Sequence, residues 1–231
     1  MLLALDTSTR FASIALYDDR GVQGEHTWRA EQNHTEDLLP HIVGLMEAAR
    51  VVPSDLTGIA VAIGPGSFNG LRVALAAAKG LAIALHIPLA GVSTLEAVAY
   101  QHGSLSLPVR PILEGGSDQV ATALYRVVRN HWAQLEEPAL MTVEQVCQAT
   151  TTRTLFCGEI GAQVASEVRR RLDSLAIIAP PAANARRAGY LAELGWYRIH
   201  DGLVDDPATL QPLYLRRPHI TEPRRSTIGR D

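Results

Sequence analysis

With 231 residues, 47% of them apolar, and a net charge of −3, the chain is long enough for one large domain or two small ones with a buried core. Its charge gives no general drive toward nucleic acid or anionic membrane, so any RNA contact is local or shared with a partner. Cys147 and Cys157 lack metal-type CxxC spacing, and Asp6 interrupts the first apolar run too early for a signal-peptide core, which sets a cytoplasmic location as the expectation.

Strand and helix signals alternate over the first hundred residues. LLALDTS (2–8), FASIALYD (11–18) and GVQGEHTW (21–28) read as three strands joined by tight turns. Asn33 with Glu36 forms a capping-box pattern, and apolar residues at helical spacing then run to about Arg50. LTGIAVAIGPG predicts a buried strand, FNGLRVALAAAKGLAIAL a second helix, PLAGVS a strand and TLEAVAYQ a third helix. This β-β-β-α-β-α-β-α order is that of an actin-like (ASKHA, ribonuclease H-like) α/β half-domain. No stretch offers eighteen uncharged apolar residues; the nearest, 73–85, is interrupted by Lys79.

After HGSLSLP (102–108), which reads as a link, strand signals recur in VRPIL, VATALYRVV, LFCG and LAIIA, with helices expected at 142–149, 161–172 and 183–194. The expected organisation is therefore an N-terminal actin-like subdomain over 1–100 with partner-binding helices, a shortened, divergent α/β subdomain over 101–215, and an arginine-rich mobile tail over 216–231.

Three motifs bear on chemistry. Asp6, Thr7 and Ser8 end the first strand, where an aspartate can hold phosphate and Mg²⁺, or where Asp and Ser can satisfy local turn N–H groups. The turn at Gly64, Gly66 and Ser67 fits neither GxxxxGK[ST] nor GxGxxG. Anion binding and close packing both remain open for it. His26, His34 and His41 fall at spacings other than HxxxH or HExxH, so neither a metal site nor a catalytic residue is expected. The two helices carry more apolar surface than one sheet face can cover: Leu38, Leu39, Ile42, Leu45 and Met46 on the first, Leu71, Leu75 and Ala78 on the second. These residues are the expected partner interface.

LALDTST, NHTEDLLPHI, IGPGSFNGLRVALAAAKGLA, GVSTLEAVA and LQPLYLRRP together resemble the TsaB (YeaZ) family, which serves with TsaD, TsaE and TsaC-type enzymes in making N6-threonylcarbamoyladenosine in tRNA. The likeness is dense over 1–100, sparse over 101–205 and returns at 207–217, with Asn69 where the family usually has threonine. It implies a noncatalytic scaffold that activates TsaD for modification at position 37 of tRNAs reading codons that begin with adenine. Thr94 and Val98 stand where TsaD carries its HxxxH metal pair. The resemblance further implies pairing with TsaD through the first two helices, self-pairing through the same surface in isolation, TsaE as a further partner, tRNA met indirectly, and no membrane. It implies no tightly bound cofactor, leaving ATP or ADP a place at the interface shared within the complex. The hairpin Glu114, Gly115, Gly116, Ser117, Gln119 and Ala121 departs from the family's arginine- and tyrosine-bearing pattern. Two rival readings are a nucleotide-dependent phosphotransferase using Asp6 and the 64–67 turn, and an M22-type metallopeptidase.

Overall fold

The computed structural model describes residues 1–30, 34–103, 106–116 and 118–215. Asn33, Ser117 and the expected tail over 216–231 lie outside the described residues. The first sheet contains β1 (Leu2–Asp6), β2 (Phe11–Asp18), β3 (Gly21–Arg29), β4 (Gly58–Gly64) and β5 (Leu89–Ser93) in the order β3-β2-β1-β4-β5. The second contains β6 (Val109–Gly116), β7 (Gln119–Val128), β8 (His131–Thr142), β9 (Thr154–Gly158) and β10 (Ala176–Ile178) in the order β8-β7-β6-β9-β10. Each sheet opens with three antiparallel strands and adds two parallel ones beside its first strand, so one connectivity occurs twice.

Strand β1 is buried on both faces, which explains its unbroken apolar run. Leu3 and Leu5 point toward α1 (His34–Ala49) and α2 (Phe68–Leu85), joining Leu38, Ile42, Ala74 and Ala78 in one core. Leu2 and Ala4 point the other way, toward α6 (Ala188–His200) and α3 (Thr94–Tyr100), where Leu191, Ala192 and Ala97 cover them. In the second sheet, Val109, Leu113 and Tyr125 meet Leu95 and Ala99 of α3. Its opposite face is covered by α4 (Val143–Ala149) and α5 (Ala162–Leu172).

Three expectations change. The twelve-residue β8 had no strand signal, because Glu136, Glu137 and Pro138 break the period-two pattern on an edge strand where alternation is weakly enforced. The last helix starts at Ala188 rather than 183, after a 3₁₀ turn over Pro181–Asn184. That helix packs on β1, β2 and β4, so the chain after residue 100 both builds the second sheet and returns to close the first. The boundary expected at residue 100 separates the sheets in sequence but does not separate their cores.

Candidate functional site

The outer side of α1 and α2 differs from the interface expected above. Leu38, Ile42, Met46, Leu71, Leu75 and Ala78 are buried in this chain's own structure, because their rows face the first sheet. Leu45 is half-buried, with its side chain over Gly24 of β3. Of the eight residues, only Leu39 is exposed, at 55%. The exposed large apolar side chains on these helices are instead Leu39 and Val43 on α1, the latter 53% exposed, and on α2 Ile83, 59% exposed, and Phe68, which packs against the Tyr214 ring. Ala76, Gly80 and Ala84 are also exposed, four residues apart along α2. Helical phase could have separated these rows only if the sheet's side of each helix were known beforehand.

At the β1–β2 turn Asp6, Thr7 and Ser8 are buried and each has a partner within the chain. Asp6 Oδ1 accepts hydrogen bonds from the Ser8 backbone N–H at 2.9 Å and the Ser8 hydroxyl at 2.5 Å. Asp6 Oδ2 lies 3.4 Å from Nη1 of Arg186, another buried side chain. Thr7 Oγ1 donates to the Gly70 carbonyl at 2.6 Å, and the Ser67 N–H donates to the Ser8 carbonyl at 2.6 Å. A Cβ on Gly66 would collide with the Ser8 carbonyl oxygen, and one on Gly70 with that of Thr7. Gly64 precedes a cis peptide to Pro65 and adopts φ +114°, and a Cβ there would lie 2.7 Å from the Leu213 carbonyl oxygen. Ser67 Oγ caps α2 by accepting from the Gly70 N–H at 3.3 Å. Close backbone approach therefore accounts for the glycines, and the Asp6 charge is compensated inside the protein.

Thr94 and Val98 are occupied by packing. The Thr94 hydroxyl accepts from the Gly64 N–H at 3.1 Å, and the Val98 side chain packs beside Gly158. Among the described residues no three His, Cys, Asp or Glu side chains converge as metal ligands would. Between the sheets lies a cavity of about 950 Å³ lined by Phe11, Trp28, Glu114, Glu159, Arg169 and Arg186, among others. Arg186 was not singled out by its sequence context; its pairing with Asp6 joins residues 180 positions apart.

One sheet connectivity, used twice around an intervening cleft, defines an actin-like α/β protein. A family model described as TsaD, tRNA N6-adenosine threonylcarbamoyltransferase, matches residues 20–222. The chain belongs to this family and, within it, to the TsaB/YeaZ branch. It is 36% identical over 125 residues to the tRNA threonylcarbamoyladenosine biosynthesis protein TsaB of Bacillus subtilis (strain 168), covering 54% of this chain and 55% of that one. It is 36% identical over 98 residues to TsaB of Escherichia coli (strain K12), covering 42% of each. The matched segment thus spans about half the length of these relatives or less. The solved structure of YeaZ from Pseudomonas aeruginosa superposes with a TM-score of 0.77 at 27% identity, covering 92% of this chain and 99% of that one.

Proposed function

We propose that the chain is a noncatalytic subunit in the formation of tRNA threonylcarbamoyladenosine, pairing with TsaD through the outer side of α1 and α2. The observation that carries this reading is the exposure of Leu39 and Val43, one turn apart on α1, and of Ile83 together with the small residues Ala76, Gly80 and Ala84 on α2. Large apolar side chains supply buried area on association, and small residues let a facing helix approach closely. By length and composition α2 is apolar enough to cross a bilayer, but its inner row is part of a protein core, and a protein partner is the cover proposed for its outer row. The same surface would permit self-pairing when TsaD is absent.

The noncatalytic part of the proposal is supported by the packing roles of Thr94 and Val98 and by the compensated charge of Asp6. In this reading transfer to adenosine 37 takes place on TsaD, with TsaE and ATP assisting turnover in the cytoplasm. This chain holds TsaD in its productive shape and meets tRNA indirectly. The reading is tested by reconstituting tRNA modification with TsaD, TsaE and threonylcarbamoyl-adenylate, with and without this chain. Modified adenosine forming only in its presence is the expected result; equal yield without it contradicts the proposal.

A further inference from the structure

A second cavity, of about 370 Å³, lies where α3, α6 and the β7–β8 hairpin meet, away from the α1–α2 face. Tyr100, Trp132, Tyr190 and Glu193 line it, together with Gln101 and Asn130. Its rings meet at steep angles: Tyr100 stands at 76° to Trp132 with centroids 5.4 Å apart, and at 79° to Tyr190 with centroids 6.2 Å apart. Tyr125, fully buried, stacks on Trp132 at an interplanar angle of 2°, which fixes that wall. Arg129 and Asn130, with φ of 50° and 65°, form the tight turn that leads β7 back into β8 and delivers Trp132 to the cavity.

Glu193 gives the cavity its charge. One of its carboxylate oxygens accepts from the Tyr100 hydroxyl at 3.1 Å and the Tyr197 hydroxyl at 3.3 Å, and the group forms no ion pair among the described residues. Burial and the neighbouring Glu193 push the Tyr100 phenol well above its ordinary value, keeping it a neutral donor. Arg187 lies 5.8 Å from the Tyr190 ring centroid, but its charge is paired with Glu25 at 2.5 Å. Electron-rich ring faces and an uncompensated carboxylate in one cavity favour a positive guest.

We propose that this cavity binds a compact organic cation with at least one N–H, an alkylammonium or guanidinium group, which donates to Glu193 while its apolar surface rests on the rings. A free small molecule or a peptide side chain can present that head group. The test titrates the full chain with trimethylammonium and follows its N-methyl proton resonance. Saturable upfield movement from ring currents is expected. Tetramethylammonium, which has no N–H, is expected to bind about tenfold more weakly, and neutral tert-butanol to show no saturable shift. Glu193→Gln, which can still accept from both tyrosines, is expected to weaken trimethylammonium binding about tenfold while the variant stays folded with a Tm within a few degrees of the parent, and Tyr190→Leu to weaken it by removing one ring. Methylguanidinium compared with an acetylated, amidated arginine separates the two sources: tighter binding of the former supports a free metabolite, tighter binding of the latter a peptide side chain. Absence of saturation with every cation, equal binding of tert-butanol, or unchanged binding by Glu193→Gln would overturn the proposal.

Discussion

Gly70 and Gly80 occupy the same helix, and one methyl group is expected to act on them in opposite directions. At Gly70 a Cβ would fall under 3.0 Å from the Thr7 carbonyl oxygen, a backbone atom that cannot rotate away. Restoring ordinary contact near 3.4 Å requires α2 to separate from the β1–β2 turn, stretching the 2.6 Å Thr7–Gly70 bond and the 2.6 Å Ser67–Ser8 bond. Overpacking of this kind costs about 1–3 kcal/mol, and losing one buried hydrogen bond adds about 1 kcal/mol. The helix-propensity gain of alanine over glycine returns about 1 kcal/mol. Gly70→Ala is therefore expected to destabilise by about 2 kcal/mol net, lowering Tm by roughly 4–8 °C in a chain of this size. Gly80 has nothing within 4 Å of a Cβ position, so Gly80→Ala keeps only the propensity gain and is expected to raise Tm by about 2–4 °C. Thermal unfolding followed by far-ultraviolet circular dichroism measures both. A Gly70→Ala variant as stable as the parent would refute close approach as the reason for this glycine.

Arg198 bridges α6 to the first sheet and α3, pairing with Glu96 at 2.6 Å and donating to the Gly91 carbonyl. Burial raises the Glu96 carboxyl above its usual range while Arg198 opposes it, so Arg198→Met should cost about 1–3 kcal/mol at neutral pH, after allowance for partial exposure. The deficit should shrink as pH falls and Glu96 takes a proton; a deficit independent of pH would assign the loss to packing alone. His41 contacts His26 and Trp28, with centroids 4.5 and 4.2 Å apart, and burial, then His26, lower its pKa below 6.5 against a smaller opposing effect of Asp37. Because the unfolded chain protonates first, the stability linked to His41 is present above pH 6.5 and is lost as pH falls through the lower folded value. Tm should therefore drop between pH 7 and 5, and drop less in His41→Asn; identical slopes would contradict this.

The first sheet is legible in the sequence because its strands and helices follow one another locally. Unbroken or alternating apolar runs mark the strands and helical spacing marks the helices, and Ser67, at the strand-to-helix turn, caps α2. What failed to show depends on distance or orientation. Leu38 and Leu39 are equally apolar neighbours, yet a rotation of about 100° puts one in the core and the other in solvent. Nothing local in residues 188–200 directs them back to the first sheet; the fit depends on small residues such as Gly195, whose Cβ position would collide with Ala60. The choice between anion binding and packing at the 64–70 turn likewise rested on the Thr7 and Ser8 carbonyl oxygens, which only the fold brings against the glycines. Glutamate at Leu38 would accordingly disrupt the fold rather than test an interface.

The most direct measurement of the proposed role is co-elution with TsaD from the same source for Leu39→Glu and Ile83→Glu, alongside Tm measured on each variant alone. Both residues are more than half exposed, so each variant should keep the parent's Tm within about 2 °C while the complex with TsaD is lost. Co-elution with TsaD at parental affinity, with both glutamates in place, would contradict the account.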